Sequence, residues 1–181
     1  MLQRNNTNRL LNIFFENPTQ RFQLRELARL SKISTTGVKS SLLELLNTKL
    51  ITKMKEKNYE YYESNRNDVN YKIYKKFFNV KLLSEIGLVD YLEKELDYPE
   101  AIFLFGSAAR GEDVERSDFD VFVLAYKKKE MDLNKYKKLL KREIKLIIMN
   151  KEDFEKTKTK NPEIINNIIN GINLKGFLEV V

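Results

Sequence analysis

The chain has 181 residues, of which 42% are hydrophobic and 33% are charged, and its formal net charge is +7. This length is enough for one ordinary domain or two small ones. The chain contains no cysteine and no histidine, which excludes disulfides, thiolate or imidazole metal sites and any histidine-dependent triad. Catalysis would therefore depend on carboxylates, hydroxyls, lysines and arginines, and a bound metal would be Mg²⁺ or Mn²⁺ on oxygen ligands.

The distribution of charge and of apolar residues bears on location and partners. No apolar run approaches the roughly 20 residues needed to cross a bilayer, and the N-terminus lacks the apolar region of a signal peptide. We therefore expect a cytoplasmic protein with no membrane partner. Residues 1–66 hold 12 Lys and Arg against 6 Asp and Glu. This excess favours a polyanionic partner, although a solvated lysine-rich surface has the same composition.

Residues 1–47 predict three helices. Apolar residues between Leu10 and Phe15 form one face of a first helix, which Asn17-Pro18 closes. Leu24 to Ser31 forms a second, and after a short turn Ser34 can cap a third from Thr35 to about Asn47. The buried face of the third helix is predicted to contain Val38, Leu42, Leu45 and Leu46. Two short helices joined by such a turn have the dimensions of a helix-turn-helix.

Two strand-like segments follow, Leu50 to Met54 and Tyr59 to Glu63, and the polar turn 55–58 makes them a hairpin. Residues 1–66 together resemble a winged helix-turn-helix domain. The resemblance implies that the start of the third helix faces the major groove of double-stranded DNA and that lysines at the hairpin tip meet phosphates. The implied DNA-binding residues are Thr35, Thr36, Lys39, Ser40, Lys55 and Lys57. The alternative is a winged helix used only for dimerisation or docking. A homodimer is the expected oligomer, because such proteins often read paired half-sites.

Residues 67–98 are predicted to be a helical connector. Apolar residues recur at helical spacing over Asp68 to Asn79 and over Leu82 to Leu96, which indicates two helices bent near Asn79 or Gly87. The segment also contains several aromatic residues: Tyr71, Tyr74, Phe77 and Phe78. We interpret them as core or dimer contacts rather than as a ligand site.

Residues 99–181 predict a small α/β domain with a mixed sheet. Three strands are expected at 101–105, 119–124 and 144–149, with helices at 107–111, 133–142, 151–156 and 162–170. The tail, 172–180, is expected to form a last helix or an edge strand. The whole chain is therefore predicted to be α+β, with a winged helix-turn-helix, a helical connector and this α/β domain.

The segment between the first two of these strands contains the residues best suited to chemistry. The first strand ends at Gly106-Ser107, and Asp118 and Asp120 begin the second, where alternation places both carboxylates on one face. A glycine turn that begins a helix suits phosphate, and paired carboxylates suit a divalent cation. Simpler interpretations are a polar strand end for the aspartates and a turn cap for Ser117. Arg110 has the simpler alternative of an ion pair with Glu112 or Glu115.

The run from Gly106 to Gly111, GSAARG, followed by Ser117-Asp118-Phe119-Asp120, resembles the GS-x-x-R-G and S-D-x-D signature of the minimal nucleotidyltransferases of the DNA polymerase beta superfamily. The resemblance implies that ATP is bound with Mg²⁺ or Mn²⁺ and that AMP passes to a hydroxyl on a protein or another acceptor. The implied nucleotide-binding residues are Gly106, Ser107, Arg110 and Ser117, and the implied catalytic and metal-binding residues are Asp118 and Asp120. Such modules often act as antitoxins, so a cognate toxin is an expected partner.

The third strand departs from the family pattern, which commonly has another carboxylate there. Lys145 occupies that position, while Glu143 lies two residues earlier on the same face and would serve after a register slip. A two-metal site, a one-metal site and a binding-only site are therefore all open. The alternative to an enzyme is a DNA-binding transcriptional regulator whose C-terminal domain, weakly active or inactive, binds nucleotide or a partner protein. An interaction scaffold without either activity is the third interpretation.

Overall fold

The computed structural model describes residues 6–179. The chain divides into two compact units, residues 1–78 and 79–181. The division falls inside the segment 67–98, which the sequence set apart as a connector. None of the helices in the described range is both long enough and apolar enough to span a membrane.

Three helices of the first unit are α1 (Asn6–Glu16), α2 (Leu24–Ser31) and α3 (Thr35–Asn47). The bounds of α2 and α3 are those predicted from apolar spacing and capping. The Ser34 hydroxyl accepts a hydrogen bond of 3.2 Å from the backbone N–H of Gly37, which satisfies one of the unpaired donors at the start of α3. The local sequence therefore determines where α3 begins.

The core of the first unit lies among these three helices and a small sheet. Val38, Leu42 and Leu45 of α3 are buried as predicted, whereas Leu46 is half-buried. Phe14 of α1 packs edge-on against Phe22, with 5.4 Å between ring centroids. Each fully buried side chain of this size contributes about 1.5–3 kcal/mol through removal from water.

The sheet of the first unit has three antiparallel strands in the order β1 (Arg21–Phe22), β3 (Tyr59–Ser64) and β2 (Ile51–Glu56). The sequence did not predict β1, because two residues do not establish a period. The predicted turn 55–58 was too long: Glu56 pairs with Tyr59. Lys55 consequently lies in β2, opposite Glu60, and Lys57 lies in the two-residue turn.

The connector segment forms α4 (Val69–Glu85) and α5 (Leu88–Glu95). Of the two predicted bend positions, Gly87 is the observed one, with φ of +74°, whereas α4 continues through Asn79. Asn79 does not interrupt the helix because its side-chain amide donates to the carbonyl of Ala108 (2.9 Å) and to Oδ1 of Asp113 (2.7 Å) rather than to the local backbone.

The connector aromatics differ in burial. Tyr71 belongs to the core of the first unit, where its ring packs against Phe15 at 5.4 Å, and Phe78 is half-buried beside the same ring. Tyr74 and Phe77 are exposed, with 49% and 72% of their surface accessible. The predicted core contact is therefore confirmed for Tyr71 and for Phe78, which packs against the same core. Tyr74 and Phe77 are not in the core, and a dimer contact stays a prediction for them.

The second unit contains a mixed four-stranded sheet, as predicted. Its order is β6 (Ile144–Met149), β5 (Phe119–Leu124), β4 (Ala101–Phe105) and β7 (Ile172–Gly176). β5 and β6 are parallel, and the other two pairs are antiparallel. Of the two expectations for the tail, the edge strand is observed as β7.

Four helices connect these strands. The short α6 (Gly106–Arg110) follows β4, α7 (Asn134–Leu140) lies between β5 and β6, and α8 (Lys151–Lys160) and α9 (Pro162–Ile169) lie between β6 and β7. The helix predicted at 133–142 ends two residues early, because Lys141 adopts a left-handed conformation.

Alternation along β5 decides which residues face which helices. Phe119, Val121 and Val123 belong to one core with residues of α5 and α7, whereas Phe122 and Leu124 belong to another with residues of α8 and α9. Asp118 and Asp120 are therefore on the Phe122 face of the sheet.

Candidate functional site

The end of β4 brings Gly106 against a carboxylate. Phe105 pairs with Asp120 across the antiparallel β4–β5 ladder, so the next residue lies beside the Asp120 side chain. Gly106 has φ of +69°, and a Cβ built at this position would lie 2.2 Å from Oδ2 of Asp120. Glycine is required here both for the backbone conformation and for the space.

The parallel pairing of β5 with β6 decides the position of Lys145. The register pairs Phe119 with Ile144 and Asp120 with Lys145, without a slip. The Lys145 ammonium lies 2.6 Å from Oδ2 of Asp118. A lysine therefore stands next to the two aspartates, where the family resemblance implied a third carboxylate.

The charges of this cluster perturb one another. Burial raises the pKa of the Asp120 carboxyl, and the negative charge of Asp118 adds to that effect, while Lys145 and Arg110 oppose it. The hydrogen bond to Asp118 raises the pKa of Lys145 above its ordinary value. Lys145 is therefore a permanent cation beside the carboxylates at physiological pH.

Glu143 is not brought to the aspartate pair by a register slip. Its carboxylate lies 2.6 Å from the Lys137 ammonium, and its residue precedes β6. Within residues 6–179 no cluster of three or more acidic or histidine side chains is arranged to hold a metal. A metal site of Asp118, Asp120 and Glu143 is therefore absent from the described part of the chain.

The donor set nevertheless suits one divalent cation. Mg²⁺ is commonly bound through one or two carboxylates, with substrate phosphates and water supplying the remaining oxygens, and Asp118 and Asp120 share one face. A second cation would need oxygen ligands where Lys145 stands, and an ammonium cannot supply them. The residues thus fit one metal ion shared with a bound phosphate and do not fit two.

Arg110 and Ser117 are engaged in local contacts. Nε of Arg110 lies 2.9 Å from Glu112, and both side chains are exposed. The Ser117 hydroxyl accepts from the Val114 N–H at 2.9 Å, which caps the turn before β5. Ser107 is half-buried in α6, and its carbonyl accepts from the Glu112 N–H at 3.0 Å.

The sequence did not predict a buried polar network that lies behind the site. Asp113 is 2% exposed and accepts from Nη1 of Arg142 at 2.8 Å and from Asn79 at 2.7 Å. Nε of Arg142 donates to the Ser117 carbonyl at 2.6 Å, and the guanidinium stacks on the Phe119 ring at 4.2 Å. The network holds the loop that ends at Asp118. No local pattern signals it, because Asp113 and Arg142 are 29 residues apart.

The residues predicted to bind DNA lie on the surface of the first unit. Thr35, Thr36, Lys39 and Ser40 are all exposed, and helical spacing places them on one side of α3, away from its buried apolar face. Lys55 and Lys57 are exposed near and at the hairpin turn. The structure therefore groups four of the six on a single helical face and two on the hairpin.

Comparison with known proteins bears on the second unit. Residues 87–176 match the family described as polymerase beta, nucleotidyltransferase. The chain matches no curated protein. It is similar to a solved structure of a candidate nucleotidyltransferase from Sulfolobus solfataricus at 20% identity, over 60% of this chain and 94% of that one, with a TM-score of 0.34. The family match, and not the similarity to that structure, identifies residues 87–176 as a nucleotidyltransferase-type domain.

Proposed function

Because residues 87–176 form a nucleotidyltransferase-type domain, we propose that the protein transfers AMP from ATP to a hydroxyl acceptor. One observation supports this most strongly: the two carboxylates of Asp118 and Asp120 share a face, and Asp120 lies directly against the glycine turn at Gly106. Carboxylates beside a phosphate-binding turn place metal ligands next to the phosphates they act on.

Each site residue has a role in this proposal. Gly106 and Ser107 contact the nucleotide phosphates, and Arg110 exchanges Glu112 for the triphosphate. Asp118 and Asp120 hold Mg²⁺ or Mn²⁺, which when bound polarises the phosphate oxygens and offsets charge on the leaving group. Lys145 adds a fixed positive charge that serves the same electrostatic purpose.

The step is an in-line displacement. The acceptor oxygen forms a bond to the α-phosphorus, and the bond to the oxygen bridging the α- and β-phosphorus breaks. Pyrophosphate leaves with that electron pair, and the hydroxyl proton passes to solvent. Lys145, cationic at physiological pH, does not accept this proton. The chemistry predicts a rate that rises with pH rather than one that follows the titration of a carboxylate base.

Asp118→Asn tests the site. Transfer from α-labelled ATP should fall at least a hundredfold, because the variant loses a charged ligand of the metal. Asp90→Asn is the matched control, since Asp90 is an exposed aspartate of α5, and it should retain full activity. Label transfer that survives in Asp118→Asn would exclude this site.

The ion pair of Lys145 with Asp118 favours a second candidate, a DNA-binding regulator whose second unit binds nucleotide without catalysis. The pair places an ammonium where the family commonly has a carboxylate, 2.6 Å from Oδ2 of Asp118. Lys145→Asp distinguishes the two candidates. Pyrophosphate release that appears only in Lys145→Asp would support the regulator, whereas release by the unsubstituted protein would support the transferase.

We further propose that residues 1–66 are a winged helix-turn-helix that binds double-stranded DNA through the exposed start of α3 and the hairpin. Lys39→Glu should weaken duplex binding and leave ATP affinity unchanged. Lys49→Glu, an equal charge change at an exposed residue after α3, is the control. Binding by the unsubstituted protein should fall with salt by a slope of about −0.9 for each phosphate neutralised. Duplex binding that ignores salt would contradict the proposal.

The resemblance extends both proposals to an antitoxin role in a cytoplasmic toxin–antitoxin pair. In that role a cognate toxin is the acceptor or binding partner, and a homodimer represses its own operon through paired half-sites. Sedimentation with and without duplex measures the oligomeric state. A monomer on DNA would contradict the paired half-sites.

A further inference from the structure

The two edges of the sheet in the second unit differ in composition. In the described part of the chain this sheet ends in β6 on one side and in β7 on the other. β7 contains the polar Asn173 and Lys175, and the Asn173 side-chain amide donates to the Gly176 carbonyl at 2.8 Å. β6 is apolar at all but one of its positions, with Ile144, Leu146, Ile147, Ile148 and Met149. Because an edge strand presents unpaired backbone groups, an apolar edge such as β6 is a template for another strand.

The charged residue of β6 does not protect this edge. A lysine on an edge strand commonly prevents pairing with another chain, because its ammonium must stay in water. The Lys145 ammonium instead lies 2.6 Å from Oδ2 of Asp118, the residue before β5. β5 is the neighbour of β6 on the inner side of the sheet. The ion pair therefore draws the charge away from the open edge.

The ladder with β5 decides which backbone groups of β6 point outward. The Glu143 carbonyl accepts from the Phe119 N–H at 2.9 Å. At the other end of the strand the Met149 carbonyl accepts from the Ala125 N–H at the same distance. Since backbone groups alternate in direction along a strand, every second residue from 143 to 149 faces β5. The remaining residues direct their N–H and C=O groups to the open edge: Ile144, Leu146 and Ile148.

We propose that β6 pairs with β6 of a second copy of this chain, in antiparallel orientation about a two-fold axis at Leu146. In this register Leu146 meets its own copy and Ile144 meets Ile148, and each of these pairs exchanges two backbone hydrogen bonds. The outward groups of all three residues are thereby satisfied, and the two sheets become continuous. The inference goes beyond the proposed function, because it requires neither transfer chemistry nor DNA.

The side chains fit the same register. Ile144 belongs to the core on the α5 and α7 side of the sheet, and Leu146 and Ile148 pack against it. Residues paired across an antiparallel ladder project on the same face, so the proposed pairs join aliphatic side chains to aliphatic side chains. A register shifted by one residue would place outward-facing backbone groups opposite inward-facing ones. The register centred on Leu146 is therefore the one that uses both the backbone and the apolar face.

The charges of α8 favour a second copy over an unrelated strand. α8 follows β6 directly and lies on the other face of the sheet, where Phe154 packs against Phe122. Its exposed side chains are acidic in the first half and basic in the second: Glu152 and Glu155, then Lys156 and Lys160. A two-fold axis through the edge of the sheet sets the two α8 helices antiparallel on one face. The acidic half of each helix then faces the basic half of the other, which an extended peptide would not achieve.

The pairing would reach the candidate site. Lys145 lies opposite Ile147 of the second copy in the proposed register, and both side chains project on the face with α8. The Lys145 side chain is 68% exposed in the single chain. The second copy would therefore cover the outer side of the cation that stands beside Asp118.

Charge reversal on α8 tests for a second copy and leaves the buried residues unchanged. One variant is Glu152→Lys with Glu155→Lys, which makes the exposed side of the helix basic throughout. The other is Lys156→Glu with Lys160→Glu, which makes it acidic throughout. Sedimentation velocity of the full chain without DNA measures the monomer–dimer equilibrium over about a hundredfold range of concentration.

The unsubstituted chain should form a dimer. Each variant alone should dimerise about tenfold more weakly, because like charges then face each other across the two-fold axis. An equal mixture of the two variants should restore the dimer, since an acidic helix then faces a basic one. The control is Glu85→Lys with Glu163→Lys, the same charge change as in the first variant at exposed residues of α4 and α9. It should dimerise like the unsubstituted chain.

Residue-resolved amide exchange tests the strand pairing itself. The outward N–H groups of Ile144, Leu146 and Ile148 should exchange more slowly as the concentration of the protein rises, because pairing removes them from water. The amides of β7 should exchange at a rate independent of concentration.

Three results would overturn the inference. The first is a chain that stays monomeric over the whole range, which would leave the edge of β6 to a strand of another protein. The second is a dimer that the α8 variants weaken no more than the control does, or that their mixture fails to restore. The third is a dimer in which the outward amides of β6 exchange as in the monomer, since its interface would then lie elsewhere. Release of pyrophosphate tests the proposed transfer independently of all three.

Discussion

The two candidate sites of this protein are held in different ways. In residues 79–181 the carboxylate Asp120 lies against a glycine, and the loop before it is held by the buried pair of Asp113 and Arg142. In residues 1–78 four of the six candidate DNA-binding side chains are exposed on α3, and a cap and an apolar core position that helix. Transfer chemistry needs atoms in fixed places, whereas attraction to phosphates depends weakly on geometry. Substitutions of buried residues should therefore disable the candidate site of the second unit, whereas comparable substitutions in the first unit should leave its candidate DNA-binding surface intact.

The largest effect is expected at Arg142. Arg142→Met should lower the free energy of unfolding by about 3–5 kcal/mol, because it leaves the buried Asp113 carboxylate without its cation. Urea denaturation measures the change. Arg110→Met is the control, since the exposed pair of Arg110 with Glu112 is worth at most about 1 kcal/mol. Equal losses of unfolding free energy in the two variants would contradict this prediction, because they would show that the buried pair of Arg142 stabilises the fold no more than the exposed pair of Arg110.

Gly106→Ala should give the next largest effect. The added Cβ would lie 2.2 Å from Oδ2 of Asp120, so the carboxylate must move and ATP binding should weaken at least tenfold. Gly87→Ala separates this contact from backbone strain, because Gly87 also has positive φ but nothing lies within 4 Å of its Cβ position. The control should lose about 1–2 kcal/mol of stability and retain ATP binding. Nucleotide titration that finds the two variants alike would contradict the role of the contact.

A smaller effect is expected at the cap of α3. Ser34→Ala removes the hydroxyl that accepts a hydrogen bond from the Gly37 N–H and should lower the free energy of unfolding by about 1 kcal/mol. Duplex affinity should change less than twofold, because the apolar core still positions the helix. Ser84→Ala, at an exposed position of α4, controls for loss of a serine. Affinity that falls tenfold in Ser34→Ala would show that the DNA-binding surface depends on exact backbone placement after all.

The smallest effect concerns the pH dependence of Asp120. Burial raises the pKa of this carboxyl in the folded state, so the native state holds the proton more tightly than the unfolded chain does. This contribution is fully present below the ordinary pKa of about 3.9 and is lost as pH rises through the raised value. Asp120→Asn should therefore melt higher than the unsubstituted protein at pH 7.

Thermal scans across pH check this sign, with each kcal/mol corresponding to about 2–4 °C. The difference between Asp120→Asn and the unsubstituted protein should shrink towards pH 4. Asp90→Asn, at an exposed position of α5, is the control for the loss of an aspartate. A variant that melts lower at pH 7 would mean that Lys145 and Arg110 outweigh burial.

Much of the local structure was predictable. The bounds of α2, α3, β4, β5 and β6 follow from apolar periodicity and from capping, which are properties of adjacent residues. The GSAARG and SDFD motifs likewise placed Gly106, Asp118 and Asp120 at the ends of neighbouring strands. β1 and the uninterrupted course of α4 through Asn79 were missed, because both depend on partners distant in the chain.

The sequence by itself determined most of the elements, the mixed sheet and the residue types of the candidate site, since these arise from local pattern and motif. Only the tertiary structure decided which charges meet. It paired Lys145 with Asp118 and Glu143 with Lys137, and it buried Asp113 against Arg142. These contacts depend on strand register and helix packing, and a charged side chain has no local signal that names its partner across the fold.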